Sequence, residues 1–493
     1  MPQLTTIETP QPASSFDAHH PPAKELLADC VHCGFCLPAC PTYVLWGEEM
    51  DSPRGRIYMM QSAAEGDTPL DATFRLHMDN CLGCMACMTA CPSGVQYDKL
   101  IEDTRAQIER HIPRAPADSL FRKLLFATFP YPSRLRALAV PLWLYQRSGV
   151  QWLVRRSGLL GLLPARLVAM ESLLPRVPSN FSRAATSGSL TLSLAKGEGA
   201  RISTGDRPRR VGMLTGCVQS VFFSHVNAAT ARVLSAEGCE VVIPSNQPCC
   251  GALMVHSGLD DQAAAMAKTL IVLFEQADVD LIAINAAGCG STMKQYGYLL
   301  RDDAEWAARA AAFSAKCQDI AEILSELPMR AVRHALPVRI AYHDACHLRH
   351  AQGIYRQPRE LLAAIPGLEL AELAESALCC GSAGVYNLLQ PEPAQQLGDR
   401  KVAHLLATQA EAVVSANPGC LLQLMSGLRR AGQPELPALH MIELLDASIR
   451  GITPAQLFEH KGGAPMPTSR LDRGTIASVD MEAQASSSRE ARP

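Results

Sequence analysis

The stretch CVHCGFCLPACP at residues 30–41 decides the fold of the first part of the chain, and it returns as CLGCMACMTACP at residues 81–92. Both stretches space their cysteines as Cys-x2-Cys-x2-Cys-x3-Cys-Pro. Three thiolates on such a tight loop can bind three corners of a cubane [4Fe-4S] cluster, while the fourth reaches a neighbouring cluster. The two stretches therefore predict a small helical domain, residues 24–112, that binds two [4Fe-4S] clusters.

This spacing is that of two-cluster ferredoxins, in which the fourth cysteine of each stretch starts a helix and faces the other cluster. Zinc motifs instead pair CxxC units at longer separations, which disfavours zinc sites or disulfides here. We expect two crossed ligand sets: Cys30, Cys33, Cys36 and Cys91 for the first cluster, and Cys81, Cys84, Cys87 and Cys40 for the second.

The region from residue 208 to 450 contains an internal repeat with an offset of 129 to 131 residues. Each copy, 208–335 and 336–450, supplies one Cys-Cys-Gly sequence and two further cysteines. Clustered thiolates are rarely inert, so each copy is a candidate metal or cluster site, with iron, zinc or a purely structural role left open. The candidate ligands are Cys217, Cys249, Cys250 and Cys289 in the first copy, and Cys346, Cys379, Cys380 and Cys420 in the second.

Both copies alternate short apolar strands with helical patterns, which predicts parallel α/β sheets. The cysteines fall where predicted strands end, the edge at which open α/β sheets place their ligand sites. Beside the second copy's first cysteine, His343, Asp344 and His347 are candidates for ligands, proton donors or supporting structure. The expected fold class is an α+β multidomain protein: a helical two-cluster ferredoxin-like domain followed by a duplicated α/β Cys-Cys-Gly domain.

Three further segments complete the predicted organisation. Polar tails at 1–23 and 451–493 are expected to be disordered. Residues 113–207 form a basic amphipathic helical segment and a Ser/Gly-rich linker, with a charge of about +8 over 113–178. That segment fits an anionic membrane surface, and equally a helical arm that docks another subunit or packs on its own domain.

The composition of the chain and its lack of certain motifs limit the classes of function that it can have. The 493 residues carry 18 cysteines and a net charge of −3, which gives no general attraction to nucleic acid. No dinucleotide-binding GxGxxG, P-loop or HExxH motif is present, so we expect no catalytic residue on this chain and FAD on a partner subunit. The N-terminus has no signal-peptide pattern and the chain no apolar stretch that would span a bilayer, which predicts a cytoplasmic location.

Several motifs together resemble the iron-sulfur subunit of bacterial glycolate oxidase, also called glycolate dehydrogenase, over residues 24–450. Related subunits serve lactate utilisation and anaerobic glycerol-3-phosphate oxidation, and heterodisulfide reductases share the Cys-Cys-Gly domain. The motifs that carry the resemblance are CVHCGFCLPACPTY at 30–43, DSPRGRIY at 51–58, CLGCMACMTACP at 81–92, the two Cys-Cys-Gly pairs, SAG at 382–384 and NPGC at 417–420.

The resemblance implies an electron-transfer subunit of a complex that oxidises glycolate to glyoxylate on flavin-binding partner subunits. It also implies delivery of electrons to a membrane acceptor such as quinone, at the inner face of the cytoplasmic membrane. The alternatives are the iron-sulfur subunit of a lactate or glycerol-3-phosphate dehydrogenase, a catalytic, heterodisulfide-reductase-like role, and a zinc-stabilised scaffold. The sequences Cys289-Gly-Ser-Thr and Cys420-Leu-Leu-Gln lack the final cysteine of the CxxC ending, which argues against the catalytic alternative.

Overall fold

The computed structural model describes residues 14–177, 190–192 and 208–459. Its N-terminal domain is helical, as expected, and the two cysteine stretches lie in loops between short helices. Cys40 is the N-cap of the second helix, with Pro41 at the first helical position, where its fixed φ favours helix initiation. Cys91, by contrast, is followed by a turn. The helices are α1 (Lys24–Ala28), α2 (Pro41–Trp46), α3 (Pro53–Ala64), α4 (Ala72–Asn80), α5 (Ala86–Thr89) and α6 (Tyr97–His111).

The predicted tails are in part ordered, which differs from the expectation. Phe16 is buried against Phe74, and Asp17 accepts a hydrogen bond from the Gln107 side chain at 2.8 Å. At the other end, Leu457 is buried in a short helix, Pro454–Glu459. Residues 14–23 and 451–459 therefore belong to the folded protein because each contributes an apolar side chain to a core, whereas 1–13 and 460–493 lie outside the described residues.

Four helices connect the N-terminal domain to the repeats, and they line up with the predicted basic segment. Their exposed faces carry large apolar side chains together with arginines. No described helix combines the length and the apolar character needed to cross a membrane. The predicted linker also contains a strand, β1 (Leu190–Leu192), which pairs antiparallel with a strand of the first repeat. The four helices are α7 (Pro116–Thr128), α8 (Pro132–Arg147), α9 (Val150–Arg156) and α10 (Ala165–Ser172).

Each repeat is an α/β unit, as predicted. The first contains β2 (Arg210–Met213), α11 (Cys217–Phe222), α12 (Ser224–Ala236), β3 (Glu240–Ile243), α13 (Ala252–Val255), α14 (Asp260–Gln276), β4 (Leu281–Ile284), α15 (Ala287–Met293), α16 (Tyr296–Leu299), α17 (Ala307–Lys316), β5 (Cys317–Asp319) and α18 (Ile320–Glu326). The second contains β6 (Val338–His343), a π-helical turn (His347–Ala351), α19 (Gln357–Ala363), β7 (Leu368–Glu372), α20 (Tyr386–Leu389), α21 (Pro391–Ala407), β8 (Ala412–Ser415), α22 (Pro418–Arg430), β9 (Ala438–His440) and α23 (Met441–Arg450).

The two sheets have the same internal order. The first runs β1-β3-β2-β4-β5 and the second β7-β6-β8-β9, and every pair except β1–β3 is parallel. In each repeat the first strand is central, and the next two strands along the chain pair with it on opposite sides. This is a topological switch point, where the loops at the carboxyl ends of the strands diverge and leave room for a site. The cysteines of each repeat lie in the segments that follow these strand ends.

The repeats also share one apolar core. A single cluster of buried side chains includes Val211 and Met213 from the first sheet and Ile340 and Tyr342 from the second. Across the same boundary, Arg232 forms an ion pair with Asp446 at 2.6 Å. The two thiol sites are therefore held in fixed positions by a continuous interior.

Candidate metal centres

The first ferredoxin-type thiol set lies at the surface. Cys33 is exposed and Cys30, Cys36 and Cys91 are half-buried, and one small cavity is lined by all four. Burial raises the pKa of the Cys30 thiol, and the nearby Cys91 and Cys33 thiols raise it further. The structure therefore brings Cys91, from the second stretch, to the three cysteines of the first.

The second thiol set is buried: Cys40, Cys81, Cys84 and Cys87 are all inside the protein. Burial raises the pKa of Cys87, with further contributions from the Cys84, Cys81 and Cys40 thiols, so the four face one another. Backbone and side-chain groups beside this set donate hydrogen bonds to the sulfurs. The Gly83 N–H donates to Cys81 Sγ at 3.3 Å, and the Tyr97 hydroxyl donates to the same sulfur at 3.6 Å.

Arg56 supplies the positive charge that this buried set needs. Its side chain is 1% exposed and forms an ion pair with Asp51 at 3.0 Å. Its Nε donates to the His77 carbonyl at 2.7 Å. Burial alone would raise the pKa of the Cys81 thiol, but Arg56 and Arg105 more than offset it and hold that pKa below its usual value. The sequence DSPRGR thus places a buried cation beside the second thiol set rather than a solvated turn.

The donor sets of the N-terminal domain fit two [4Fe-4S] clusters. Each set offers four thiols from both stretches, with the crossed membership expected for a two-cluster ferredoxin. Donors to the sulfurs and a buried cation are the features that stabilise the negative charge of such a centre.

The buried loop 81–87 packs directly against the second repeat. Cys84 shares an apolar cluster with Cys346 and Cys379, and the charge of Cys346 adds to burial in raising the pKa of Cys84. His347 Nε2 lies 2.8 Å from the Gly83 carbonyl, which fixes it as the donor. The second ferredoxin-type set and the thiol site of the second repeat are therefore neighbours.

The four cysteines of the second repeat meet at one place. Cys379 Sγ lies 3.8 Å from Cys346 Sγ. Cys380 hydrogen-bonds with Cys379, Cys420 and His343, and these contacts hold its pKa well below the usual range of a thiol despite burial. Asn417 Nδ2 donates to Cys420 Sγ at 3.4 Å. One ring nitrogen of His343 lies within 4.8 Å of the Cys380 and Cys420 sulfurs, and the sequence had named this residue without assigning it a role.

The first repeat also gathers its four cysteines, but among apolar side chains. Cys217, Cys249 and Cys250 belong to a cluster with Leu214 and Phe274. A hydrogen bond with Cys249 raises the pKa of Cys217, and burial raises it further. The two repeats thus differ at one thiol: His343 is a hydrogen-bond partner of Cys380 in the second repeat, whereas apolar side chains surround the thiols of the first.

The two other polar residues beside Cys346 have structural roles. Asp344 forms ion pairs with Arg349 at 2.7 Å and with Arg359 at 2.8 Å, and the two arginines hold its pKa below the usual value despite burial. His347, as described, joins the second repeat to loop 81–87. Cys239 and Cys317, which belong to neither cysteine pattern, are buried in the first repeat.

Three family models match the chain. A 4Fe-4S dicluster domain covers residues 26–95 and indicates that the N-terminal domain binds iron-sulfur clusters. A cysteine-rich domain matches twice, at 211–294 and 340–425, which confirms the duplication. A model described as the linker region of the glycolate oxidase iron-sulfur subunit matches residues 117–174.

Relatives that align with most of the chain indicate the same family as the linker model. The chain is 41% identical over 424 residues to a probable glycolate oxidase iron-sulfur subunit of Bacillus subtilis, covering 85% of this chain and 93% of that one. It is 34% identical to the glycolate oxidase iron-sulfur subunit of Escherichia coli, with 87% and 95% covered. A lactate utilization protein A of Exiguobacterium is 32% identical but matches only 49% of this chain.

Replacing Arg56 by Met should destabilise the second thiol set selectively. The change leaves Asp51 buried without its cation, which costs about 3–5 kcal/mol when one partner of a buried pair is removed. We expect iron per chain to fall and the thermal unfolding midpoint to drop. The matched control is Arg54→Met, because Arg54 pairs with Glu49 on the surface beside the first set. Equal iron content in both variants would contradict the role of Arg56.

Proposed function

The chain belongs to the family of glycolate oxidase iron-sulfur subunits, and we propose that it transfers electrons from a flavin-binding partner to an acceptor at the membrane. The partner subunit carries FAD and oxidises glycolate to glyoxylate, and the acceptor is a quinone. In this proposal Cys30, Cys33, Cys36 and Cys91 hold one [4Fe-4S] cluster, and Cys81, Cys84, Cys87 and Cys40 hold the other. When bound, such clusters accept and release one electron at a time.

The observation that carries this proposal is the placement of the two thiol sets. One is at the surface, where a partner can approach it, and the other is buried against the second repeat. The chain's own residues hold both sets, and they shield the buried set from water and supply donors and cations around it. No residue of this chain is assigned a substrate-binding role.

Replacing Cys84 by Ser tests the proposal in the assembled complex. Cys84 is a ligand of the buried set, whereas the partner's flavin site is untouched. We expect glycolate to reduce the flavin at the normal rate while reduction of a quinone analogue is lost. Cys239→Ser, a buried thiol outside both sets, is the control and should retain both steps. Unchanged quinone reduction in Cys84→Ser would reject the proposed route.

The surface around the first set suits the flavin-binding subunit. Val31, Phe35 and Tyr58 are large apolar side chains that stand exposed on and beside its loop. Exposed aromatic side chains grouped at one place are typical anchors of protein interfaces. Docking there would bring the flavin close to the surface thiol set.

A charge at Phe35 should therefore weaken the complex. Phe35 is 66% exposed, so Phe35→Glu costs the isolated subunit little. Loss of an aromatic anchor costs an interface about 2 kcal/mol or more, which is roughly a thirtyfold weaker Kd. Titration of the flavin-binding subunit measures it. The control is Met329→Glu, which is 63% exposed and far from the first set along the chain. Equal affinities for the two variants would place the interface elsewhere.

The connecting helices support docking on an anionic membrane surface. Trp152 and Leu153 on α9 are exposed, and the Arg156 guanidinium lies over the Trp152 ring. On α8, Leu144 is exposed, while Trp143 packs partly buried against an apolar cluster with the Arg147 guanidinium over its ring. Tryptophan, leucine and arginine on one exposed face are the residues that bind the headgroup region of a bilayer.

Vesicle flotation of the full chain tests this contact. We expect retention on vesicles of phosphatidylserine and phosphatidylcholine, weaker retention on phosphatidylcholine alone, and release by salt. Trp152→Glu should lower retention by about tenfold, since it replaces an interfacial anchor by a like charge. Val332→Glu, at a residue 70% exposed outside the helices, should leave it unchanged. Failure of the wild-type chain to float would assign these helices to a protein partner.

A further inference from the structure

A cavity of about 360 Å³ connects the buried thiol set with the surface of the protein. Cys81, a member of that set, is part of its wall. Leu76 also lines the cavity and is 53% exposed, so the cavity opens to solvent at this residue. Pockets that hold a small molecule usually have volumes of roughly 300–1,000 Å³. A small molecule can therefore reach the wall of the buried set without any opening of the fold.

The cavity lies where all parts of the protein meet. Its wall is formed by α4 and α6 of the N-terminal domain, by α7 and α10 of the connecting segment, and by both repeats. Boundaries between domains are common places for ligand sites. None of the four described cysteines of the surface set lines the cavity. An electron acceptor bound here would therefore contact the buried set and not the surface set.

One part of the wall suits a flat apolar ring. Tyr386 lines the cavity and also shares an apolar cluster with Cys84 of the buried set, so it contacts both. Aromatic side chains pack well against other flat rings. The aliphatic side chains that line the cavity with it are Leu76, Leu82, Ile108, Leu253, Val385 and Leu389.

Another part of the wall is cationic and rich in hydrogen-bond donors. Arg75 donates from one nitrogen to the Pro113 carbonyl, and Arg166 pairs through one nitrogen with Asp118. A guanidinium carries five N–H groups, so both arginines keep donors for a ligand. The cavity is lined by five arginines and three carboxylates, an excess of two positive charges: Arg75, Arg105, Arg114, Arg122 and Arg166 against Asp79, Glu109 and Asp118.

His256, which also lines the cavity, adds a neutral donor. Its Nδ1 lies 3.1 Å from Glu102 Oε1, and burial raises the pKa of Glu102 to about 8, so this carboxyl keeps its proton at neutral pH. Burial lowers the pKa of His256 to about 4. The carboxyl therefore donates to Nδ1, and the imidazole proton is on Nε2. Within the part of the chain that the structure describes, Nε2 has no hydrogen-bond partner, and a buried N–H needs an acceptor.

We propose that this cavity binds the headgroup of a quinone, the acceptor named in the proposed function, on which this inference rests. A quinone headgroup is a flat apolar ring with two carbonyl oxygens that accept hydrogen bonds. The ring packs on Tyr386 and the aliphatic side chains. One carbonyl oxygen accepts from His256 Nε2, and the other accepts from an arginine of the cationic wall.

The oxidation of glycolate balances the reduction of the quinone in this cavity. The quinone takes up two electrons, one at a time, and two protons, and it becomes a quinol. Glycolate, oxidised on the partner subunit, supplies both electrons, and water at the open side of the cavity supplies the protons. The excess of positive charge in the wall stabilises the electrons on the quinone oxygens until the protons arrive.

Photolabelling of the full chain tests the site without any turnover. The chain is purified anaerobically and illuminated with a benzoquinone analogue that bears an azido group, and the labelled peptides are found by mass spectrometry. We expect label on peptides that line the cavity, and its loss when unlabelled quinone is in excess. Ala115→Trp should lose the label, because Ala115 is exposed at the cavity and an indole ring would fill the opening.

Two more variants complete the labelling experiment. Leu76→Trp, on a different helix, should act like Ala115→Trp. Ala127→Trp is the matched control, since Ala127 is exposed on α7 and does not line the cavity. It should keep the label, and all three variants should keep the iron content of the wild type. Label outside the cavity, or label displaced by inorganic phosphate but not by unlabelled quinone, would overturn the inference.

Activity of the assembled complex separates this inference from the proposed function. Glycolate-driven reduction of a quinone analogue should fall by about tenfold or more in Ala115→Trp and stay unchanged in Ala127→Trp. Reduction of a small water-soluble dye should be unchanged in both, because the flavin site is on the partner. Equal quinone reduction by wild type and Ala115→Trp would overturn this inference and leave the proposed function intact. Failure of the wild-type complex to reduce any quinone would overturn both.

Discussion

The constraint on which the structure depends is the burial of loop 81–87, whose first carbonyl groups precede α5 and have no helix or sheet to satisfy them. Buried carbonyls need donors, and here the donors come from distant parts of the chain. Arg56 binds the carbonyl of His77 just before the loop, Arg105 binds that of Cys81, and His347 binds that of Gly83. Arg105 also donates to the His256 carbonyl of the first repeat at 2.9 Å. One buried loop therefore ties the N-terminal domain to both repeats.

Much of this arrangement could be predicted from the sequence because the spacing of the cysteines restricts how their thiols can be arranged in space. The crossed thiol sets, the duplication and the central strands of both sheets follow from spacing and from alternating apolar runs. The short edge strands β1, β5 and β9 were not predicted, since three-residue strands such as CQD at 317–319 carry no periodic pattern. The order of residues 14–23 also escaped prediction, because Phe16 is a single apolar residue in a polar segment and only its tertiary contact with Phe74 reveals its role.

The candidate site in the second repeat shows a different limit of sequence reasoning. His343 stands three residues before Cys346, but spacing alone cannot tell it from Asp344 and His347, which have similar chemistry and neighbouring positions. The fold separates the three: Asp344 turns to two arginines, His347 to loop 81–87, and His343 to the thiols. Duplication made the comparison possible, since the first repeat keeps the cysteines and has leucine at the equivalent position. The two sites differ in the polarity of the side chains that surround the thiols.

Burial also explains why the two ferredoxin-type sets have different surroundings. A thiolate in water needs little help, so the surface set is accompanied by Arg54, a side chain that is itself partly exposed and paired with Glu49. Burying a set of thiolates has a desolvation cost, which nearby positive charge and hydrogen bonds must offset. Arg56 meets it from inside the protein, and Asp51, which also accepts from Asn80 at 3.1 Å, holds that arginine in place. The depth of each thiol set thus matches its cation: a partly exposed arginine accompanies one set, whereas a buried arginine paired with Asp51 accompanies the other.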